Sequence, residues 1–451
     1  MSPPNPENGA TREPGAAVTP AAVPDTHPTG FWFFFWGEFA ERCSYYGMRA
    51  ILPLYMTTRL GMPDDQTAAW YSYFKAACYL LPLLGGYLAD RYLGRYWIIV
   101  GFSVPYVIGQ LLIGYEDRTT VVFALALLAM GSGVIKPNIS SLMGETYDQQ
   151  RPGNARLRAN AFLWFYFAIN VGSTLSMLAL PIVRDRYGYQ VAFLIPAVLM
   201  ALALAVFAAG KRYYATEPAV APAPLTPEER RRQWKELTPL FGVFALIAFF
   251  WVVYEHNDNL WVFFARDHID RRLPDWLGGG EMAPDQFQFV NAALILGLIP
   301  FAQWFWKRVD PEARFPATNK ILLGFLFTAA APATMAGAAS AAGGGAKVSM
   351  LWILAAYFFL TVGEVLVYGT GLDLSYSHAP ANMKGFVTAC FLLTSAVANL
   401  VNSQFAPLYN TILPAASFFA LDTAIALAAA VAFYFVARSF NARRALQAGA
   451  A

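Results

Sequence analysis

The chain has 451 residues, of which 57% are hydrophobic, 16% aromatic and 14% charged, against roughly 25% charged in soluble domains. A net charge of +3 with no long lysine/arginine run argues against a nucleic-acid partner. Cys43, Cys78 and Cys390 lie in apolar segments without a CxxC pair, so they offer neither a disulfide nor a metal framework.

In chain order, residues 1–28 are rich in Pro, Ala, Asn and Thr and lack the basic start and apolar core of a signal peptide; they predict a disordered tail. Apolar runs follow at Phe31 to Met56, Ala68 to Ala89, Trp97 to Tyr115, Thr120 to Met143, Asn160 to Ile182 and Val191 to Ala209. After a polar interval they resume at Leu240 to Phe264, Phe287 to Phe305, Ile321 to Ala338, Met350 to Leu374, Gly385 to Leu408 and Ala415 to Ala437. The pattern predicts an all-α polytopic membrane protein of about twelve spans, six in residues 29–212 and six in 237–438, with a tail at 439–451. Arg91, Arg95, Arg151, Arg156, Lys211, Lys307, Arg314 and Arg438 fall on one side, which by the positive-inside rule makes both termini cytoplasmic. The opposite loops mix signs, as in Arg266, Asp267, Asp270 and Arg271, and read as solvated surface. Between the halves, residues 213–236 hold a Pro/Ala-rich linker. Thr226, Pro227 and Glu229 then start a short helix expected to lie on the inner membrane surface.

The first span carries Glu38, Glu41, Arg42, Tyr45, Tyr46 and Arg49. At about 100° per residue they fall within an arc of about 140°, so one helix carries a polar stripe along a cavity. A charged side chain facing lipid at mid-membrane would cost roughly 2.5 to 3.5 kcal/mol. A salt bridge of Glu38 or Glu41 with Arg42 accounts for one pair and leaves Arg49 and the tyrosines unexplained. Lys75 in the second span is a further intramembrane cation; it gives an extra anion contact, pairs with Glu255 or Asp258, or snorkels to the outer interface. In the fourth span Lys136 stands beside Pro137 and Asn138 and wants an anionic partner. Asn170 in the fifth span either bonds a ligand or joins two helices. His256, beside Glu255 and Asp258, either joins proton handling or completes a hydrogen bond.

The segment Gly85 to Arg95, with Asp90 and Arg91, resembles the signature loop of the major facilitator superfamily, which implies two six-helix bundles around a central cavity. Further motifs are Glu38-x-x-Glu41-Arg42, Tyr45-Tyr46-Gly47-x-Arg49, Gly133 to Asn138, Phe165-Tyr166-x-x-Ile169-Asn170, Gly363-Glu364 and Ala379-Pro380-x-x-Met383-Lys384-Gly385. Together they resemble the proton-dependent oligopeptide transporter family over essentially the whole chain beyond the first tail.

That resemblance implies a secondary active symporter of di- and tripeptides that works by alternating access, not an enzyme, in a bacterial-type inner membrane. It needs no cofactor besides the coupling proton; its partners are a small peptide, the proton and the lipid bilayer, with no obligate protein partner evident. It implies proton coupling through Glu38, Glu41, Arg42 and Glu255. Arg49 and Lys136 would receive the peptide carboxylate, and Asn170, Asn291 and Glu364 its amino end. Tyr45, Tyr46 and Tyr79 would line the middle, and Arg49 with Glu255 and Lys136 with Glu364 would be gating pairs. Cations in one half and a carboxylate in the other suit a zwitterion on physical grounds as well. The chain departs from the family at Tyr368, Cys390 and His256, and Lys75 is an added charge. These positions bear on specificity and motivate an alternative: the same fold carrying another small solute, such as an amino acid, a peptide-like metabolite or an anion such as nitrate. An enzyme would want a nucleophile and base or a metal cluster, and no HExxH, GxSxG or paired Cys/His set is present.

Overall fold

The structure, a computed structural model, describes residues 25–216, 226–312, 314–343, 345–378 and 384–448. The motif at 379–383, most of the expected tail and most of the Pro/Ala-rich linker lie outside them.

Helices α1 (Thr29–Thr58), α2 (Asp64–Leu88), α3 (Arg95–Leu112), α4 (Arg118–Gln150) and α5 (Ala155–Ala209) build the first half. The second half comprises α6 (Pro227–Tyr254), α7 (Leu260–His268), α8 (Phe289–Val309), α9 (Ala317–Ala341), α10 (Leu351–Glu364), α11 (Thr370–His378), α12 (Lys384–Phe405) and α13 (Ala415–Ala448). Local chemistry sets many of the ends. Asp117 caps α4 by accepting from the Thr120 N–H at 2.8 Å, and Asn154 caps α5 through Leu157. One pair of short parallel strands, in which Ile269 faces Val348 and Asp270 faces Ser349, ties the loop after α7 to the loop before α10.

Nine helical stretches among the described residues are long and apolar enough to cross a membrane. α1 and α2 are not among them, since charges and tyrosines lower their hydropathy. α5 is 55 residues long because the expected fifth and sixth spans run end to end, broken only at Gly188 with φ 86°, a conformation that favours glycine. Large apolar side chains such as Trp32, Phe123, Leu163, Trp304 and Phe435 are exposed along the outside, the surface a bilayer would cover.

Helix contacts are close where side chains are small. A Cβ on Gly85 of α2 would sit 2.9 Å from the Val134 Cα of α4, so any larger residue would push the two helices apart. Many polar side chains return their hydrogen bonds to their own helix, as Asn138 does to Val134 O and Thr328 to Gly324 O, both at 2.8 Å.

Three expectations change. The helix expected on the membrane surface is instead the first turns of α6, which runs unbroken from Pro227 into the seventh span. α13 continues through Ala448, past the expected end at 438. The end of the first tail is docked: His27 shares a 2.5 Å hydrogen bond with Tyr147, and Arg151 donates to Thr26 O at 2.8 Å.

The halves meet along α2 with α12 and α5 with α8, and their polar contacts gather at the helix ends away from the termini. Toward the end that bears the termini a cavity of about 1230 Å³ opens, lined by Tyr166 of α5 and by Trp306, Lys320, Glu364, Tyr368 and Asn441 from the second half.

Candidate functional site

The stripe on α1 is inside the protein. Glu38, Glu41, Arg42, Tyr45 and Arg49 are buried and Tyr46 is half-buried. Arg42 Nε donates to Glu38 Oε1 at 2.6 Å and lies 3.0 Å from Glu41 Oε2, while the Tyr106 hydroxyl of α3 donates to Glu41 Oε1 at 3.1 Å. This cluster is complete within one half, with two carboxylates against one guanidinium. Tyr106 was not singled out from the sequence; it sits in an apolar run that gives no sign of facing a carboxylate.

Lower in the same half, Lys136 Nζ stands 5.1 Å from the ring centre of Tyr79. In the second half, Glu364 on the cavity wall accepts through Oε2 from the Tyr254 hydroxyl at 2.9 Å and from Asn291 Nδ2 at 2.8 Å. The expected pairing of Lys136 with Glu364 is therefore not made in this structure: each group is engaged within its own half, and the cavity opens at this end. The Asn170 amide donates to Tyr166 O at 2.9 Å, within its own helix. Tyr368 lines the cavity wall, its ring 5.9 Å from Trp251 and 5.8 Å from Phe391. Cys390 packs half-buried against the same apolar cluster.

The expected pairing of Arg49 with Glu255 is corrected. Arg49 Nη2 donates to Asp258 Oδ1 at 3.1 Å and lies over the Tyr46 ring at 4.8 Å. Glu255 is taken instead by Lys75 and by the Ser395 hydroxyl of α12, the latter at 2.8 Å. Lys75 also bonds Asp258. The physical reason is a break in the seventh span: Glu255–Asp258 is a 3₁₀ turn, and residues three apart in such a turn face the same way. Both carboxylates thus point toward α1 and α2. Lys75 is 1% exposed and paired with both acids, which excludes the snorkel.

Other polar groups escaped the sequence reading. Arg184 near the end of the fifth span pairs with Asp285, which is fully buried in the turn before α8. Arg266, read as solvated surface, reaches Asp64 of α2 at 2.7 Å and ties the rims of the two halves. His256 turns away from the cavity and shares a 2.8 Å hydrogen bond between Nδ1 and Asp422 Oδ2 of α13. An acid inside the last apolar run was the signal that could have found Asp422.

Comparison with known proteins agrees with this geometry. The POT family model matches residues 96–230 and 222–418. The chain is 28% identical over 433 residues to the dipeptide and tripeptide permease A of Proteus mirabilis, covering 84% of this chain and 86% of the permease. It is 31% identical over 326 residues to peptide transporter family 1 of Drosophila melanogaster, a match that takes in 62% of this chain and only 43% of that relative. Among solved structures, the in meso crystal structure of the POT family transporter PepTSo superposes with a TM-score of 0.83 at 27% identity, over 92% of this chain and 99% of that one. A point mutant of a peptide transporter POT in complex with alafosfalin gives 0.80 at 25% identity, over 91% and 94%. Broken helices, charged stripe and matched domain agree: the chain is a multi-pass membrane protein that belongs to the POT family.

Proposed function

We propose that the protein is a proton-coupled symporter of di- and tripeptides, seated in a bacterial-type inner membrane with both termini cytoplasmic. The observation that carries the reading is the division of charge between the two halves. Lys136 and Arg49 belong to one half, and Glu364, cradled by Tyr254 and Asn291, belongs to the other. A zwitterion of peptide length would satisfy both sides at once. The relatives named as dipeptide and tripeptide permeases and the alafosfalin complex support the same substrate class.

In this reading the peptide carboxylate meets Arg49 and Lys136, its amino group meets Asn170, Asn291 and Glu364, and Tyr45, Tyr46 and Tyr79 line the space between. Glu38, Glu41 and Arg42 carry the coupling proton together with Glu255. The structure represents the stage closed at the outer end and open toward the termini. Lys75 no longer argues for a different solute, since its charge is spent on Glu255 and Asp258 and does not face the cavity.

The test is uptake of labelled dialanine into proteoliposomes with and without an inward proton gradient. Accumulation that requires the gradient supports the reading. No dialanine movement under any gradient sinks it, and single amino acids and nitrate are then screened on the same vesicles.

A further inference from the structure

Lys75, Arg49, Glu255 and Asp258 form a cluster split between the halves: both cations come from α1 and α2, both carboxylates from the 3₁₀ turn between α6 and α7. With all four ionised the cluster is neutral, and each of its members is almost fully buried. The two carboxylates are so close that one ammonium nitrogen bonds both. When the outer end opens, α1 and α2 leave with both cations, and the turn keeps two adjacent carboxylates with no counter-charge. Such a pair does not stay doubly ionised; it shares a proton.

We infer that Glu255 and Asp258 form a carboxylate pair that takes up one proton from the outer side whenever the halves part there, and that Lys75 is the tethered cation that expels it on closure. On closure the carboxylic O–H breaks, the ammonium takes the proton's place, and the proton passes to water on the side of the cavity that opens toward the termini; no other covalent bond changes. Lys75 is thereby a coupling residue of the transport cycle, and the inference rests on the proton-coupled reading above.

The surroundings favour exchange at this pair over a static bridge. Arg49 stays cationic and, of the two carboxylates, bonds only Asp258. The Tyr71 ring lies 5.9 Å from Lys75 Nζ. Tyr357 of α10 donates to Asn257 O at 3.2 Å, His256 is turned to Asp422, and Glu364 is held by Tyr254 and Asn291. Among the described residues of the second half, the Ser395 hydroxyl donates to Glu255, which does not replace two cations.

Infrared spectroscopy of the purified full chain reads the claim directly. At neutral pH Lys75→Gln is expected to gain the C=O stretch of one protonated carboxylic acid relative to wild type. That band should vanish in Lys75→Gln/Glu255→Gln and be absent in Lys75→Arg. The double variant removes one charge of each sign, so it also serves as the folding control. A Lys75→Gln spectrum identical to wild type overturns the inference. In proteoliposomes, Lys75→Gln should keep dialanine counterflow within about twofold and lose gradient-driven accumulation at least about tenfold, the scale of one neighbouring charge. Gradient-driven accumulation at the wild-type level in Lys75→Gln also overturns it. Should the wild type move no dialanine, the peptide reading fails, and the infrared comparison still decides whether Lys75 displaces a proton.

Discussion

Two charged clusters lie within a few turns of each other on α1, and they are built differently. Glu38, Glu41 and Arg42 are answered by Tyr106 within one half, two carboxylates against one cation, whatever the other half does. Arg49 and Lys75 are answered by Asp258 and Glu255 only while the halves touch. Parting of the halves by itself removes no partner from the first cluster. In the cycle proposed above, the second changes its charge balance each time the outer end opens, which would make it a gate and a sensor of the gate at once.

The largest expected effect comes from the first cluster. Glu41→Gln should abolish gradient-driven dialanine accumulation while counterflow persists; accumulation that survives would remove Glu41 from coupling and leave the split cluster to carry it alone. Next come the pairs between the halves. Arg184→Ala leaves Asp285 fully buried without its cation, a situation that costs about 3 to 5 kcal/mol. A marked fall in Tm is expected, with Arg184→Leu/Asp285→Leu restored toward wild type. Equal Tm values for the single and double variants would show that the pair does not hold the closed end.

Asp258→Asn takes away the partner of Arg49 and one of the two partners of Lys75, so it should shift the population toward an open outer end. Spin labels at Asp65 and Asn410 would report this as longer distances; an unchanged distribution would mean that the split cluster follows closure without driving it. At the cavity, Glu364→Gln should raise the KM for dialanine by about tenfold or more, the scale of a lost charged hydrogen bond, with Tm little changed. Affinity unaltered by the substitution would move the peptide amino end elsewhere.

The smallest effect lies outside both clusters. Hydrogen bonds from the Thr120 backbone and hydroxyl hold the Asp117 carboxyl below the usual aspartate range. A lowered folded value contributes stability above the unfolded value of about 4, lost as pH falls through the folded one. Asp117→Ala should therefore lower Tm slightly at neutral pH, and the difference should shrink in acid. A difference that persists in strong acid would assign it to something besides the cap.

The all-α multi-pass character and the polar stripe of α1 were legible in the sequence, because hydropathy and helical spacing act over neighbouring residues. So was the membrane class, since 57% hydrophobic residues leave a soluble surface too little polar material. Which charge meets which was decided by the tertiary structure. Glu255 rather than Asp258 looked like the partner of Arg49, because nothing local announces that the seventh span breaks into a 3₁₀ turn that presents both acids to α1 and α2. Likewise Asp422 and His256, 166 positions apart, meet only because α13 packs against that turn. Spacing along a chain sets the face on which a side chain lies; the partner on the facing helix depends on packing between segments far apart in sequence, and in a low-dielectric interior that partner sets the charge.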